Sequence, residues 1–109
     1  MVQYTEGLDA AFAAVADSTR RGILERLGRG DASITELADA FDMTLTGIKK
    51  HVGVLEHARL VTTRKTGRVR TCAIGPHRLS REAKWIEKLQ RVMDARFDRL
   101  QALLDDTRD

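Results

Sequence analysis

The sequence has few of the residues that cross-link a protein or fill its interior. Among its 109 residues there is one cysteine, Cys72, which excludes an internal disulfide. Aromatic residues make up 5% of the chain and charged residues 32%, a composition typical of a helical protein with little bulky core material. At this length we expect one domain with a small core, which a partner would help to stabilise.

Long hydrophobic runs are also missing. No stretch approaches the roughly 18 uncharged apolar residues that indicate a membrane span. The first residues, MVQYTEGLDAAF, contain acids instead of the basic and then apolar pattern of an export signal. We therefore expect no membrane partner, and a cytoplasmic location as the default.

Positive charge is concentrated in one part of the chain. Between Lys49 and Arg70 there are seven Lys or Arg residues and one acid, Glu56, so this segment is net +6 while the whole chain is only +3. A charge run of this kind is often a solvated surface. Here it coincides with a helical pattern followed by a hairpin pattern, which favours contact with double-stranded DNA.

The first half of the chain has the apolar spacing of several short helices. The first helix is predicted from about Leu8 to Ala16. The second is capped by Asp17 or Ser18 and stops at Gly28 and Gly30.

A third and a fourth helix follow closely. Ser33 and Glu36 form the pattern of a capping box, and the third helix should run to about Phe41. Thr44 is a plausible N-cap for the fourth helix, predicted over 44–58. Two short helices joined by a three- to four-residue turn are the signature of a helix-turn-helix. The residues predicted to be buried in these two helices are Ile34, Leu37, Ala38, Phe41, Leu45, Ile48, Val52 and Leu55.

The opposite face of the fourth helix is predicted to meet DNA, since recognition helices place their N-terminal residues at base edges. Lysine suits the acceptors of guanine, and Gly47 would permit close approach of the backbone. His51 lies at the edge of the buried face, so it is either a hydrogen-bonded boundary residue or a DNA contact. The candidates on this helix are Thr44, Thr46, Gly47, Lys49, Lys50 and His51.

A β-hairpin is predicted over 61–74. Its β-branched residues flank Thr66 and Gly67, with Gly67 at a positive φ. Long cations near the tip can reach an adjacent minor groove or its phosphates. The alternative is a solvated edge hairpin that uses charge to resist aggregation. The candidate contacts of this hairpin are Arg64, Lys65, Arg68 and Arg70.

The last third of the chain predicts one long helix over 79–107, with Ser80 as a candidate cap. Its apolar positions advance in steps of four and three, which is a heptad pattern with Gln90 as its polar member. We predict that this helix joins two copies of the chain into a two-fold dimer and so implies a roughly palindromic DNA site. The interface is predicted to contain Leu8, Phe12, Leu79, Ala83, Ile86, Gln90, Met93, Phe97, Leu100 and Leu104.

Several of these segments together resemble the ArsR/SmtB-type repressors. Residues 17–24, DSTRRGIL, are similar to the family's opening DPTRxxIL motif, and residues 33–38, SITELA, match its next helix. Residues 47–61, GIKKHVGVLEHARLV, resemble its recognition helix, and residues 64–68, RKTGR, resemble its wing. The resemblance implies a dimeric repressor that binds an operator and often controls its own transcription unit. Lys49 replaces a frequent serine, so a different DNA sequence should be read.

The fold implied is mainly α with a small β-hairpin wing, a winged helix-turn-helix of order α-α-α-α-β-β-α. Residues 1–109 would form a single domain in which 79–107 is the dimerisation helix.

The sequence departs from the metal-sensing members of that family. Where those sensors carry CVC, this chain has Ser33-Ile34-Thr35, so the thiolates for a soft metal are missing. The C-terminal helix has no histidine for a zinc site. We therefore expect no metal and no cofactor, and the effector stays unknown.

Three alternatives to this function are a redox-responsive regulator, a protein-interaction module and an enzyme. Cys72 could act as a redox switch, although a small buried strand residue fits better because only Arg70 nearby would lower its pKa. The chain could also be an interaction module that has lost DNA binding, but such a module has no need for the cationic segment. No catalytic nucleophile can be placed in one pocket with a general base, so no enzyme is expected.

Overall fold

A computed structural model describes residues 2–107 of the chain, with side-chain surroundings from residue 7 onward. The chain divides into two compact units, Met1–Arg78 and Leu79–Asp109, and each is described by itself.

The first unit contains the four predicted helices and the predicted hairpin. It also contains a short strand, β1, that was not predicted, so the order including the last helix is α-α-β-α-α-β-β-α. Two residues are too few to show the alternation by which a strand is recognised in a sequence. The elements of this unit are α1 (Val2–Val15), α2 (Ser18–Leu27), β1 (Ala32–Ser33), α3 (Ile34–Ala40), α4 (Leu45–His57), β2 (Val61–Thr66) and β3 (Val69–Ile74).

The three strands form one antiparallel sheet of order β1-β3-β2. Thr66 pairs with Val69 at the end of the hairpin, so the turn consists of Gly67 and Arg68. Gly67 has φ 63°, which confirms the positive φ expected there. Ser33 pairs with Thr71 of β3 while it also caps α3, because the extended backbone of an N-cap residue is compatible with a strand.

The core of this unit lies between the helices and one face of the sheet. The expected burial of Ile48, Val52 and Leu55 on α4 is confirmed. On the sheet, Val61 and Cys72 are buried against these helices. The other buried apolar residues are Ala11, Ala14, Ile23, Leu27, Ala32, Ile34, Leu37, Ala38, Ala58 and Leu60.

The predicted caps of these helices are present. Asp17 accepts a hydrogen bond from the Arg20 backbone N–H at 3.1 Å. Ser33 and Glu36 form the complete capping box, and Thr44 accepts from the Gly47 N–H at 3.0 Å. The helix-turn-helix is therefore α3, a connection over residues 41–44, and α4.

The C-terminal ends of α3 and α4 use left-handed residues that are not glycine. Asp42 has φ 52° and Arg59 has φ 65°. After each, a backbone N–H reaches back five residues, from Met43 to Ala38 O at 2.9 Å and from Leu60 to Leu55 O at 2.9 Å. These are Schellman motifs, in which glycine is the usual left-handed residue.

The stop predicted for α2 is confirmed, with Gly28 as its C-cap and Gly30 at φ 147° beyond it. Three other details differ from the sequence expectations. Helix α1 begins earlier than Leu8. Phe41 is only half-buried. Leu45, expected in the core, is 47% exposed. As the first residue of α4 it projects beyond the helix start, since helical side chains point toward the N-terminus.

The second unit is the long helix α5 (Ser80–Asp106). Its N-cap is Leu79 in a left-handed conformation, so the expected cap at Ser80 was wrong. Neither α5 nor any other helix within residues 2–107 is long and apolar enough to cross a membrane. A broad set of large apolar side chains on α5 is exposed: Trp85, Ile86, Leu89, Val92, Met93, Phe97, Leu100, Leu103 and Leu104.

Candidate nucleic-acid interface

A groove of about 730 Å³ runs between the starts of α3 and α4 and the β2-β3 hairpin. It contains four cations and no acid among its ten lining residues. Because opposing charge is missing, the groove is complementary to an anionic ligand. Its lining residues are Ser33, Ile34, Thr35, Leu45, Lys49, Thr63, Lys65, Arg68, Val69 and Arg70.

The structure brings together some of the predicted contact residues and separates others. Lys49 of α4 shares the groove with Lys65, Arg68 and Arg70 of the hairpin. Lys50 is exposed on α4 but does not line the groove. In the sequence these residues share only their positive charge, whereas the fold places four of them, Lys49, Lys65, Arg68 and Arg70, on one surface.

Arg64 lies on the other side of the sheet. Successive side chains of a strand point to opposite faces, so Arg64 faces away from Lys65. It lines a separate, smaller concavity that also contains Asp31. An acid beside Arg64 distinguishes this face from the acid-free groove.

Two of the groove cations face each other directly across the hairpin. Lys65 is the register partner of Arg70, and both are exposed. Like charges directly opposite each other in an antiparallel pair destabilise a sheet. The hairpin thus holds an unfavourable pair that a bound anion would relieve.

The one acid of the cationic segment is held by a hydrogen bond. The Thr63 hydroxyl donates to the Glu56 carboxylate at 2.8 Å, and both residues are half-buried. Glu56 does not line the groove itself, but its partner Thr63 does. The carboxylate is thus bonded to a hydroxyl at the border of the groove, while the charged side chains of the lining are all cations.

The start of α4 has two exposed threonines and one enclosed glycine. Thr44 and Thr46 are exposed. Gly47 is half-buried, and a Cβ built there would lie 3.1 Å from Met43 Cε and 3.2 Å from Thr44 Oγ1. A side chain at Gly47 would therefore crowd the Thr44 cap, to which the Gly47 N–H is bonded.

His51 contacts other side chains of its own domain. Its Nδ1 lies 3.2 Å from the Arg20 guanidinium and 3.8 Å from the Asp17 carboxylate. Its side chain is 20% exposed. Of the two interpretations, the structure supports the hydrogen-bonded boundary histidine.

Arg20 connects three helices through these contacts. Its Nε donates to Ala14 O at 2.7 Å and its Nη2 to Ala13 O at 3.1 Å, which satisfies carbonyls at the end of α1. The same guanidinium reaches His51 on α4. The hydrogen bond from the Arg20 N–H, with the charges of His51 and Arg20, lowers the pKa of Asp17. These contacts of Arg20 thereby fix α4 against α1 and α2.

Six groove residues were not predicted as contacts. Ser33, Thr35, Thr63 and Val69 line the groove, and Ile34 and Leu45 had been assigned to the core. The first-turn position of Leu45, directly after a threonine cap, was the available signal for its exposure. The places of Ser33 and Thr35 depend on how α3 meets the hairpin, which no local pattern encodes.

Cys72 lacks the features of a redox switch. It is fully buried on β3, and burial raises the pKa of its thiol despite the opposing charge of Arg70. A reactive cysteine needs exposure and a lowered pKa. Within residues 2–107 no group of three or more His, Cys, Asp or Glu side chains could hold a metal ion.

The residues predicted for a dimer interface lie on both units. Leu8 and Phe12 of α1 are half-buried, and so is Leu79. The predicted positions on α5 are all exposed, whereas Glu82, which was not among them, is buried at the start of this helix. The exposed predicted positions are Ala83, Ile86, Gln90, Met93, Phe97, Leu100 and Leu104.

Helices α3 and α4 with the β2-β3 hairpin define a winged helix-turn-helix protein. A family model described as a helix-turn-helix domain matches residues 15–64. The HTH-type transcriptional regulator Rv2034 of Mycobacterium tuberculosis is 40% identical over 68 residues, 62% of this chain and 64% of Rv2034. The transcriptional repressor SdpR of Bacillus subtilis is 30% identical over 60 residues, 55% of this chain and 67% of SdpR.

A solved structure extends the similarity to most of the chain. The crystal structure of an ArsR family transcriptional regulator matches with a TM-score of 0.75 and 44% identity, covering 86% of this chain and 97% of that one. The chain belongs to the ArsR family of helix-turn-helix transcriptional regulators. Its function is thus DNA-binding regulation of transcription, and its family is not a class of enzymes.

Proposed function

We propose that the protein is a homodimeric repressor that binds a roughly palindromic operator. Helix α4 enters the major groove, with Thr44, Thr46, Lys49 and Lys50 nearest the bases. The hairpin is the wing, and its cations hold the flanking phosphates and fix the position of α4. Repression agrees with the similarity to SdpR, whose name describes a transcriptional repressor.

The acid-free groove is the observation that carries this proposal. It joins Lys49 of the recognition helix to three wing cations, including the cross-strand pair of Lys65 and Arg70. A DNA strand seated there would bring phosphates between these like charges. The repulsion that costs stability in the free protein is then relieved in the complex, which favours binding.

Binding to an operator chosen from random duplex DNA tests the contact residues. Lys49→Ala and Lys50→Ala should each weaken binding, and at least one should relax base preference. Arg68→Ala should weaken binding to all sequences alike and reduce the slope of log K against log salt by about one unit for each phosphate that it no longer neutralises. Fluorescence anisotropy over a salt series measures both effects.

Arg29→Ala is the matched control. Arg29 is exposed on the turn between α2 and β1 and does not line the groove. This substitution removes the same charge and should leave the salt slope nearly unchanged. If the three groove and helix variants bound like the parent, the assignment of the interface would be wrong, and an interaction module without DNA binding would fit better.

Dimerisation is proposed through the exposed apolar face of α5. Met93 and Phe97, 49% and 63% exposed, lie at the middle of the heptad pattern. An apolar stripe of this extent on a single helix is typical of an association surface. Phe97→Glu should give monomers in sedimentation and much weaker operator binding, because one half-site would then be read alone.

A further inference from the structure

Leu45 is a large apolar side chain placed on a cationic surface. It is 47% exposed at the first position of α4 and lines the same groove as Lys49. Exposing leucine costs roughly 25 cal/mol for each Å² of apolar surface left in water. A partner that covers it would recover this free energy.

The charge around Leu45 indicates which partner this is. Every charged residue that lines the groove is a cation, so the occupant is an anion that also offers an apolar group. Duplex DNA does so in its major groove, where the C5-methyl of thymine is the one apolar group among donors and acceptors. An acidic protein surface could match the charge, but the recognition helix is the element that carries Leu45.

We infer that Leu45 is a base-reading residue that contacts a thymine methyl group in each half-site. This inference rests on the proposed binding of α4 in the major groove. Lys49 lies one helical turn further along the same face, about 6 Å away. Because base pairs stack about 3.4 Å apart, the thymine lies one or two base pairs from the position that Lys49 contacts.

Replacement of thymine by deoxyuridine tests this contact, because it removes the methyl and keeps the hydrogen-bonding groups. Each thymine of the selected operator is replaced in turn and binding is measured by anisotropy. One thymine per half-site should respond. Removal of the methyl should weaken binding about fourfold for one half-site and about sixteenfold for both.

Two variants assign the response to Leu45. Leu45→Ala and Leu45→Gln should bind thymine and deoxyuridine operators equally at that position. Val54→Ala is the matched control, because Val54 is a 40% exposed apolar residue of the same helix outside the groove. This control should keep the full response to deoxyuridine.

The outcomes separate the two proposals. A parent protein that binds its operator but responds to no deoxyuridine overturns the role of Leu45 and leaves DNA binding by α4 intact. The same conclusion follows if Leu45→Ala and Leu45→Gln still discriminate as the parent does. A parent protein that selects no duplex at all overturns the proposed function itself.

Discussion

Reversing the charge of Arg70 should stabilise the protein and weaken its binding to DNA. Arg70 lies directly opposite Lys65 in the hairpin, and both side chains are exposed on the groove side of the sheet. In Arg70→Glu the repulsive pair becomes an attractive one. The fold gains stability while the surface that meets phosphate is weakened, so the two assays should move in opposite directions.

The size of each effect follows from the position of the pair. A cross-strand charge pair contributes roughly 0.2 to 1 kcal/mol, so exchanging repulsion for attraction should raise the free energy of unfolding by about 0.5 to 1 kcal/mol. That corresponds to a rise in Tm of about 2 to 6 °C for a domain of this size. On DNA, one phosphate fewer neutralised by each protomer lowers the salt slope by about 0.9, or about 1.8 for the dimer.

Thermal unfolding and anisotropy measure the two sides. The gain in Tm should be present at low salt and nearly vanish at about 1 M salt, where the Debye length is about 3 Å. Arg29→Glu, with the same change in charge outside the groove, should alter the salt slope far less. A lower Tm for Arg70→Glu, or an unchanged salt slope, would refute the account of this pair.

Three further predictions concern the scaffold of the recognition helix. Arg59→Gly should raise the free energy of unfolding by about 1 kcal/mol in urea denaturation, because Arg59 occupies a left-handed position after α4 that glycine adopts without strain. Arg59→Ala should show no such gain, and equal stability of the two variants would count against strain at this position. Arg20→Ala should lower the free energy of unfolding by about 2 to 4 kcal/mol in the same assay, since three hydrogen bonds of a charged group are removed. A decrease of less than about 0.5 kcal/mol would contradict the role of Arg20 in connecting the three helices. The lowered pKa of Asp17 stabilises the fold above the ordinary value of 3.8, and this stability is lost as pH falls through the lower folded pKa. Asp17→Asn should therefore show a smaller fall of Tm below about pH 4 than the parent, and an identical pH profile would exclude this linkage.

Much of the fold could be predicted because local signals and periodicity agreed. The threonine cap at Thr44 and the capping box at Ser33 set the starts of two helices, and the period of Ile48, Val52 and Leu55 set the buried face of α4. Gly67 located the hairpin turn. Each of these features depends on residues within one or two turns of each other.

The remainder depended on contacts between distant segments. Strand β1 exists because Ala32 and Ser33 meet Cys72 and Thr71, about forty residues away. The separation of Arg64 from Lys65 follows from the pleat of a strand and the position of the groove, which charge counting does not reveal. Leu45 falls on the apolar side of a helical wheel of α4, but it lies in the first turn of the helix, where no core extends to cover it.

Selection of bound sites from random duplex DNA is the most direct test of the central proposal, which is that two copies of the chain bind one operator through residues 44–70. The full chain should enrich one sequence with two inverted half-sites whose centres lie about 10 to 10.5 base pairs, or a multiple of this, apart. Lys49→Ala should shift the enriched bases within each half-site while leaving their spacing unchanged. Recovery of no preferred sequence, or of a site without inverted symmetry, would contradict the proposed dimeric repressor.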